Sequence, residues 1–339
     1  MIVWSIASLA VLIFSFIATW GLRRYALATK LMDVPNARSS HTMPTPRGGG
    51  VAIVVAFLVA LLWMLVSGHI PEHWGWGLIG AGAGIALLGF LDDHGHIAAR
   101  WRLLGHFLAA IWLLIWGGGF PPVEIYGAIV ELGWIGHVLA VFYLVWMLNL
   151  YNFMDGIDGI ASVEAIAVCA GGALIYWLTG HAALVAGPLL LAFAVAGFLI
   201  WNFPPAKIFM GDAGSGFLGL VLGALSIQAA WADPSLFFSW LILLGVFVVD
   251  ATCTLVHRLV RGEKVYEAHR SHGYQFAARR YARHLPVTLG VLFIDLLWLV
   301  PLAVIVALGW LDGLLGVAVA YVPLVVLAIV YKAGSSEKT

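Results

Sequence analysis

The chain has 339 residues, 63% of them hydrophobic and 10% charged, and its 17 Lys and Arg are balanced by 17 Asp and Glu. A globular domain carries about 25% charged residues, so this composition and a mean hydropathy of +1.00 exclude a soluble globular protein and make lipid the solvent. The zero formal net charge says nothing about an acidic or basic partner, because the charges are sorted along the chain, and no nucleic-acid partner is expected.

A hydrocarbon core about 30 Å thick takes roughly 20 helical residues, and about eleven segments qualify or nearly do. In chain order they are Ile2 to Trp20, Gly50 to Val66, Trp74 to Leu91, Leu103 to Trp116, Ile135 to Leu150 and Ile160 to Leu178. Ala182 to Trp201, Gly214 to Trp231, Leu236 to Val256, Val287 to Leu308 and Leu311 to Tyr331 follow. The prediction is an all-α polytopic membrane protein with about 11 transmembrane helices. No internal repeat or long linker divides it, so residues 1–339 form one domain. Trp20, Trp74, Trp76, Trp116, Trp134 and Trp231 lie near span ends, where indole rings favour the headgroup zone. Cys169 and Cys253 lie inside apolar runs and read as small buried side chains, not as a disulfide.

The 17 Lys and Arg all fall in alternate connections. Arg23, Arg24, Lys30, Arg38 and Arg47 follow the first span, Arg100 and Arg102 the third, and Lys207 the seventh. Arg258, Arg261, Lys264, Arg270, Arg279, Arg280 and Arg283 follow the ninth, and Lys332 and Lys338 the last. By the positive-inside rule these connections are cytoplasmic, with the amino terminus periplasmic and the carboxyl terminus cytoplasmic. Arg23 and Arg24 behind the first span make it a signal anchor, not a cleaved peptide.

The connections on the basic side hold the chemistry. They carry DVPNARSSHTMPTPRGGG from Asp33, then LDDHGH, NLYNFMDGIDG, NFPPAKIFMGDAGSG and YEAHRSHGYQ. An active site is expected from the loops at about 21–49, 92–102, 151–159, 202–213 and 257–286. Asp92 and Asp93 are adjacent, so a cation, a proton or water must offset their repulsion. Asp155 and Asp158, three apart, can share a helical face, and Gly156 and Gly159 allow close approach. Asn149 and Asn152 extend that polar stripe, and Asp212 lies in a Gly-Asp-Ala-Gly-Ser turn. Carboxylates and carboxamides without cysteine partners are the hard ligands that Mg²⁺ accepts, usually with substrate phosphate and water. His269, Arg270 and His272 bring a phosphate-binding fork, with metal ligation by the histidines as the rival reading.

Each piece has an ordinary explanation as well: a solvated helix end for Asp92-Asp93, a helix start for Gly-Asp-Ala-Gly-Ser. Their gathering on one membrane side beside a basic loop favours chemistry. A divalent metal, a phosphate clamp and a bilayer suggest phosphoryl transfer between a soluble diphosphate and a lipid phosphate. A proton-coupled transporter or flippase using Glu164, Asp250 and Asp295 is the alternative from another class. A CDP-alcohol phosphotransferase is the alternative enzyme, although its acids cluster in one compact signature.

In HTMPTPRGGG, LDDHGH, NLYNFMDGIDG and FMGDAGSGFLG, in that order, the chain resembles the polyprenyl-phosphate N-acetylhexosamine-1-phosphate transferases. That family includes the phospho-MurNAc-pentapeptide translocase and the initiators of O-antigen and teichoic acid synthesis. The resemblance runs from about Asp33 to Gln275. It implies that undecaprenyl phosphate attacks the proximal phosphate of a UDP-N-acetylamino sugar in the bacterial inner membrane, releasing UMP, with Mg²⁺ or alternatively Mn²⁺ as cofactor. Asp212 and Asn152 would be metal ligands, Asp93 would support the metal, and Asp92 would deprotonate or orient the lipid phosphate. Phe209 would stack on uracil, Asp155 and Asp158 would hold the nucleotide end or the metal's outer shell, and His269, Arg270 and His272 would grip the diphosphate. His41 and Arg47 of the first loop would bind substrate, and a homodimer is admitted.

Two departures bear on detail. Where relatives carry a Lys before the first-loop His and another after the acidic pair, this chain has Ser40 and His94, Gly95 or His96, and Arg38, Arg47 or Arg100 would supply the charge. Where relatives read His-x-His-His, it has His272-Gly-Tyr-Gln275. The nearest resemblance is to O-antigen initiators using 6-deoxy amino sugars such as N-acetylfucosamine or N-acetylquinovosamine, with Tyr274 offered to the C6 methyl group.

Overall fold

A computed structural model describes residues 2–35, 40–41, 43–95, 97–264 and 269–335. The first half is built from α1 (Ile2–Thr29), a hairpin of β1 (Met32–Asp33) and β2 (Thr45–Pro46), α2 (Val51–Val66), α3 (Glu72–Gly95) and α4 (Ala99–Gly117). A second small hairpin, β3 (Val123–Ile125) with β4 (Ala128–Val130), precedes α5 (Gly133–Met154), α6 (Ile160–Leu178) and α7 (Ala186–Asn202). Then come α8 (Asp212–Ala232), α9 (Leu236–Leu243), α10 (Gly245–Val260), α11 (Gly273–Tyr281), α12 (Leu285–Ile294), α13 (Val300–Ala307) and α14 (Gly313–Val330).

Each of the expected apolar segments is helical, but they do not all qualify as spans. Among the described residues, eight are long and apolar enough to cross a membrane, and α9 with α10 would make a ninth if counted as one. That pair meets at 71° instead of forming the straight helix expected over Leu236 to Val256. Helix α2 has only 16 residues, or about 24 Å at 1.5 Å per residue, and α4 carries Arg100 and Arg102 in its first turn. The two hairpins were not legible as alternation because each strand has only two or three residues. Trp74 is buried against Gly117 instead of lying at an interface, unlike the exposed Trp20, Trp76, Trp134 and Trp231.

Helix α8 is the axis of the bundle: every residue from Ala213 to Ile227 is buried, and α3, α5 and α9 pack around it. Small residues allow this, since in lipid close backbone contact drives helix association. A Cβ on Gly219 would stand 2.3 Å from the Met147 carbonyl of α5, and one on Gly214 2.6 Å from the Gly50 Cα. The first turn of α8 reaches α3 through Gly89, whose Cβ would meet the Asp212 and Ala213 backbone at 2.5 Å. Helix α3 thereby delivers Asp92 and Asp93, from its last turn, to the start of α8.

Candidate active site

Four backbone breaks bring the polar loops to that end of the bundle. Helix α5 stops at Asp155, whose ψ of 54° leaves the helical region, and α6 begins after Gly159 at φ +74°. Helix α7 ends as Phe203 becomes extended ahead of Pro204. Helix α8 starts after Gly211 at φ +78°, where a Cβ would lie 2.6 Å from Asp93 Oδ2. A side chain is excluded there on both counts.

Backbone bonds weld the loops together. Phe209 N donates to Pro46 O at 2.8 Å, Gly49 N to Phe209 O at 2.9 Å and Gly50 N to Met210 O at 2.8 Å. Asn202 accepts from Gly159 N at 3.0 Å and donates to Ile208 O at 3.0 Å. Between them lies a polar cavity of about 370 Å³. Of the expected site residues, its walls include His41, Arg47, Asp93, Asn152, Asp155, Asp158, Phe209 and Asp212, with Ser215, Gln275 and His284 added.

The acids are held differently from one another. Asn152 Nδ2 donates to Asp212 Oδ1 at 2.9 Å and to Ser215 Oγ at 3.0 Å, orienting that carboxylate. Asp93 is buried; Arg47 bonds its backbone carbonyl and stands 3.9 Å from Oδ1, while Oδ2 has no hydrogen-bond partner. Asp92, outside the cavity lining, accepts from Ile97 N at 2.6 Å and from Arg102, whose Nη1 also reaches Asp212 Oδ2 at 3.3 Å. Asp158 is cross-linked, with Oδ2 accepting from Ala206 N at 3.0 Å and Oδ1 3.1 Å from His284 Nδ1. Burial, and after it the charges of Asp212, Asp93 and Asp158, push the Asp155 carboxyl well above the usual carboxylate range.

Phe209 lies edge-on to His41, ring centroids 4.9 Å apart, so both rings stand at the cavity wall. The late histidines stand apart from it. His272 is buried at the start of α11 beside Asp250, with His269 stacked on it at 4.9 Å. Burial, then the neighbouring His272 and Arg258, push the His269 imidazole down to about 3. Neither histidine lines the cavity, nor does Arg270, whose carbonyl accepts from Arg279 at 3.1 Å. Tyr274 is also outside it, its hydroxyl donating to Phe153 O at 2.9 Å, and Gln275 takes the lining position instead. Arg38 and His96 lie outside the described residues.

Arg102, Ser215, Asn202 and His284 were missed as site residues. In the sequence Arg102 reads only as a loop charge, and His284 has no motif around it.

Among the described residues no group of three or more His, Cys, Asp or Glu side chains converges to hold a metal alone. Mg²⁺ needs no such group: one or two carboxylates suffice when substrate phosphate and water complete the shell. The unpartnered Asp93 Oδ2 beside Gly211, with Asp212 next in the chain, fits that requirement.

Fold and site together define a multi-pass helical membrane protein with an acidic cavity at one end of its bundle. Residues 75–230 match the family model described as glycosyl transferase family 4. The chain is 31% identical over 255 residues to a Bacillus subtilis protein named probable undecaprenyl-phosphate N-acetylglucosaminyl 1-phosphate transferase, covering 74% of this chain and 70% of that one. It is 31% identical over 250 residues to the phospho-N-acetylmuramoyl-pentapeptide-transferase of Geobacillus kaustophilus, covering 69% and 75%. With the decaprenyl-phosphate N-acetylglucosaminephosphotransferase of Mycolicibacterium smegmatis it shares 32% over 249 residues, 67% of this chain and 60% of the relative's length. The chain belongs to this family of polyprenyl-phosphate hexosamine-1-phosphate transferases.

Proposed function

We propose that the protein transfers an N-acetylhexosamine 1-phosphate from a UDP-sugar to undecaprenyl phosphate at the cytoplasmic face of the bacterial inner membrane. A phosphate oxygen of the lipid forms a new bond to the sugar-bearing phosphorus, the bond from that phosphorus to the bridging oxygen breaks, and UMP leaves. The observation that carries this reading is that Asp93, buried and with no hydrogen-bond partner on Oδ2, lines the same cavity as the Asn152-oriented carboxylate of Asp212.

Asp212 and Asp93 would hold Mg²⁺, which supplies charge neutralisation at the diphosphate. Phosphoryl transfer is chiefly positioning and electrostatics, and the chain's own residues divide that work. Asn152 orients Asp212, Arg47 and Arg102 bring positive charge to the acids, and Phe209 offers an aromatic face for the base. Asp92, gripped by Arg102, orients the incoming lipid phosphate. Gln275, at a place where the family often carries His, supports a donor other than the usual N-acetylglucosamine. UDP-N-acetylfucosamine and UDP-N-acetylquinovosamine, and with them an O-antigen role, are therefore the first donors to test.

Purified protein with Mg²⁺, undecaprenyl phosphate and a panel of UDP-sugars is expected to release UMP, and Asp212→Ala to stop it while preserving expression. UMP release that continues unchanged in EDTA would reject the metal assignment, and solute movement in vesicles without nucleotide release would favour a transporter.

A further inference from the structure

Asp250 is an acid inside an apolar helix, largely enclosed, its side chain 13% exposed. A carboxylate in such a place needs hydrogen-bonded partners or a functional reason to be there. Its partners come chiefly from one short element. Oδ1 accepts from Gly273 N at 2.9 Å and lies 3.3 Å from His272 Nδ1, while Oδ2 accepts from Tyr274 N at 2.8 Å. Thr254 Oγ1 adds a contact at 3.3 Å from within α10. The first amides of α11, which have no partners inside their own helix, are thus satisfied by a side chain from another helix. A negative charge there also complements the helix dipole.

Helix α11 has nine residues, too few to persist alone in water, so its place depends on such anchors. Its first turn reaches the cavity. The Tyr274 hydroxyl donates to Phe153 O at 2.9 Å and sits where a Cβ on Gly156 would be only 2.1 Å away, with Gln275 Nε2 3.3 Å from the same point. Gly156 and Gln275 both line the cavity beside Asp155. A continuous path of contacts runs from Asp250 through the start of α11 to the wall at the Asp155–Asp158 loop. Both oxygens of Asp250 are taken by donors along this path, which leaves it unsuited to relay protons across the membrane.

We propose that Asp250 is a positioning residue: it clamps the amino end of α11 so that Tyr274 and Gln275 close against Gly156 and shape the donor end of the cavity. This rests on the transferase reading. The carboxylate acts through α11 and touches no substrate.

The test pairs hydrogen–deuterium exchange with steady-state kinetics on the full-length protein in detergent. Asp250→Asn, which keeps one acceptor oxygen and sets an NH2 against the other amide, is expected to speed exchange at residues 273–281. It is also expected to raise KM for the active UDP-sugar by about tenfold, while KM for undecaprenyl phosphate stays within about twofold. Tyr274→Phe, which removes the hydroxyl that meets Phe153 O, Gly156 and Gln275 but leaves the Asp250 clamp in place, should move the donor KM in the same direction by less, and the double variant should be no worse than Asp250→Asn alone. Unchanged exchange in Asp250→Asn overturns the clamp. Faster exchange with an unchanged donor KM, or both KM values rising together, overturns the positioning role. Should Asp250→Asn fail to fold, an unchanged donor KM in Tyr274→Phe does the same. Wild-type protein that releases no UMP counts against the transferase reading, and the exchange measurement still judges the clamp.

Discussion

Arg102 stands between Asp92 and Asp212, bonded to the first and 3.3 Å from the second, so a residue at the start of α4 bridges acids carried by α3 and α8. Its charge offsets a repulsion that would otherwise raise the cost of bringing α3 against α8. Arg102→Ala is expected to lower UMP release by about tenfold or more and to make melting temperature depend more steeply on Mg²⁺ than in the wild type. Activity and Mg²⁺ dependence both equal to the wild type would show that the bridge is incidental.

Gly211 is the hinge at which α8 begins. At φ +78° and ψ +170°, a region used essentially by glycine alone, an alanine costs about 1–3 kcal/mol, and its Cβ would press on Asp93 Oδ2 and on Gly48 N, at 3.1 Å. Gly211→Ala should lose most activity and melt a few degrees lower. Full activity in that variant would mean that the Asp93 carboxylate is free to move aside.

Asn152 joins Asp212 to Ser215. Asn152→Ala frees the Asp212 carboxylate to rotate and should cut kcat by about 10- to 100-fold, while Ser215→Ala, which removes one arm of the same contact, should cost less. Equal losses in the two would place the weight on Ser215 instead.

His284 supplies a pH dependence. Burial alone would lower its pKa, but the Asp158 carboxylate, with the Ser40 carbonyl, outweighs that and raises it above the ordinary value. A group with a raised folded pKa stabilises fully below its unfolded value, about 6.5, and loses that contribution as pH rises through the folded value. The wild type should therefore out-melt His284→Gln at pH 6, with the gap narrowing toward pH 9. A gap that widened with pH would reverse the assignment of charge.

Much of the site was legible because its parts are compact motifs. Asn152 to Asp158 and Gly211 to Ser215 each carry polar atoms and glycines within a few residues, and it is their gathering on one membrane side, not any one of them alone, that points to chemistry. Arg102 was not legible as part of the site, since a guanidinium in a helix's first turn reads as an interfacial charge until its carboxylates are seen. His284 lay 126 residues from the Asp158 it binds. Tyr274 and Gln275 were legible as a departure from the family pattern, but which of them lines the cavity depends on how the first turn of α11 is rotated.

The apolar runs and the sorting of charge between them determined an all-α membrane protein, because an apolar segment in lipid must satisfy its backbone within its own helix. Polar motifs at the ends of those runs identified the family, being local in the chain. Tertiary structure alone decided that α9 and α10 bend apart, that Arg102 rather than a loop lysine joins Asp92 to Asp212, and that Asp250 anchors α11. Each of these depends on which helix faces which across the bundle, and hydropathy carries no mark of that; around α8 it is set by small residues packing at Gly89, Gly214 and Gly219.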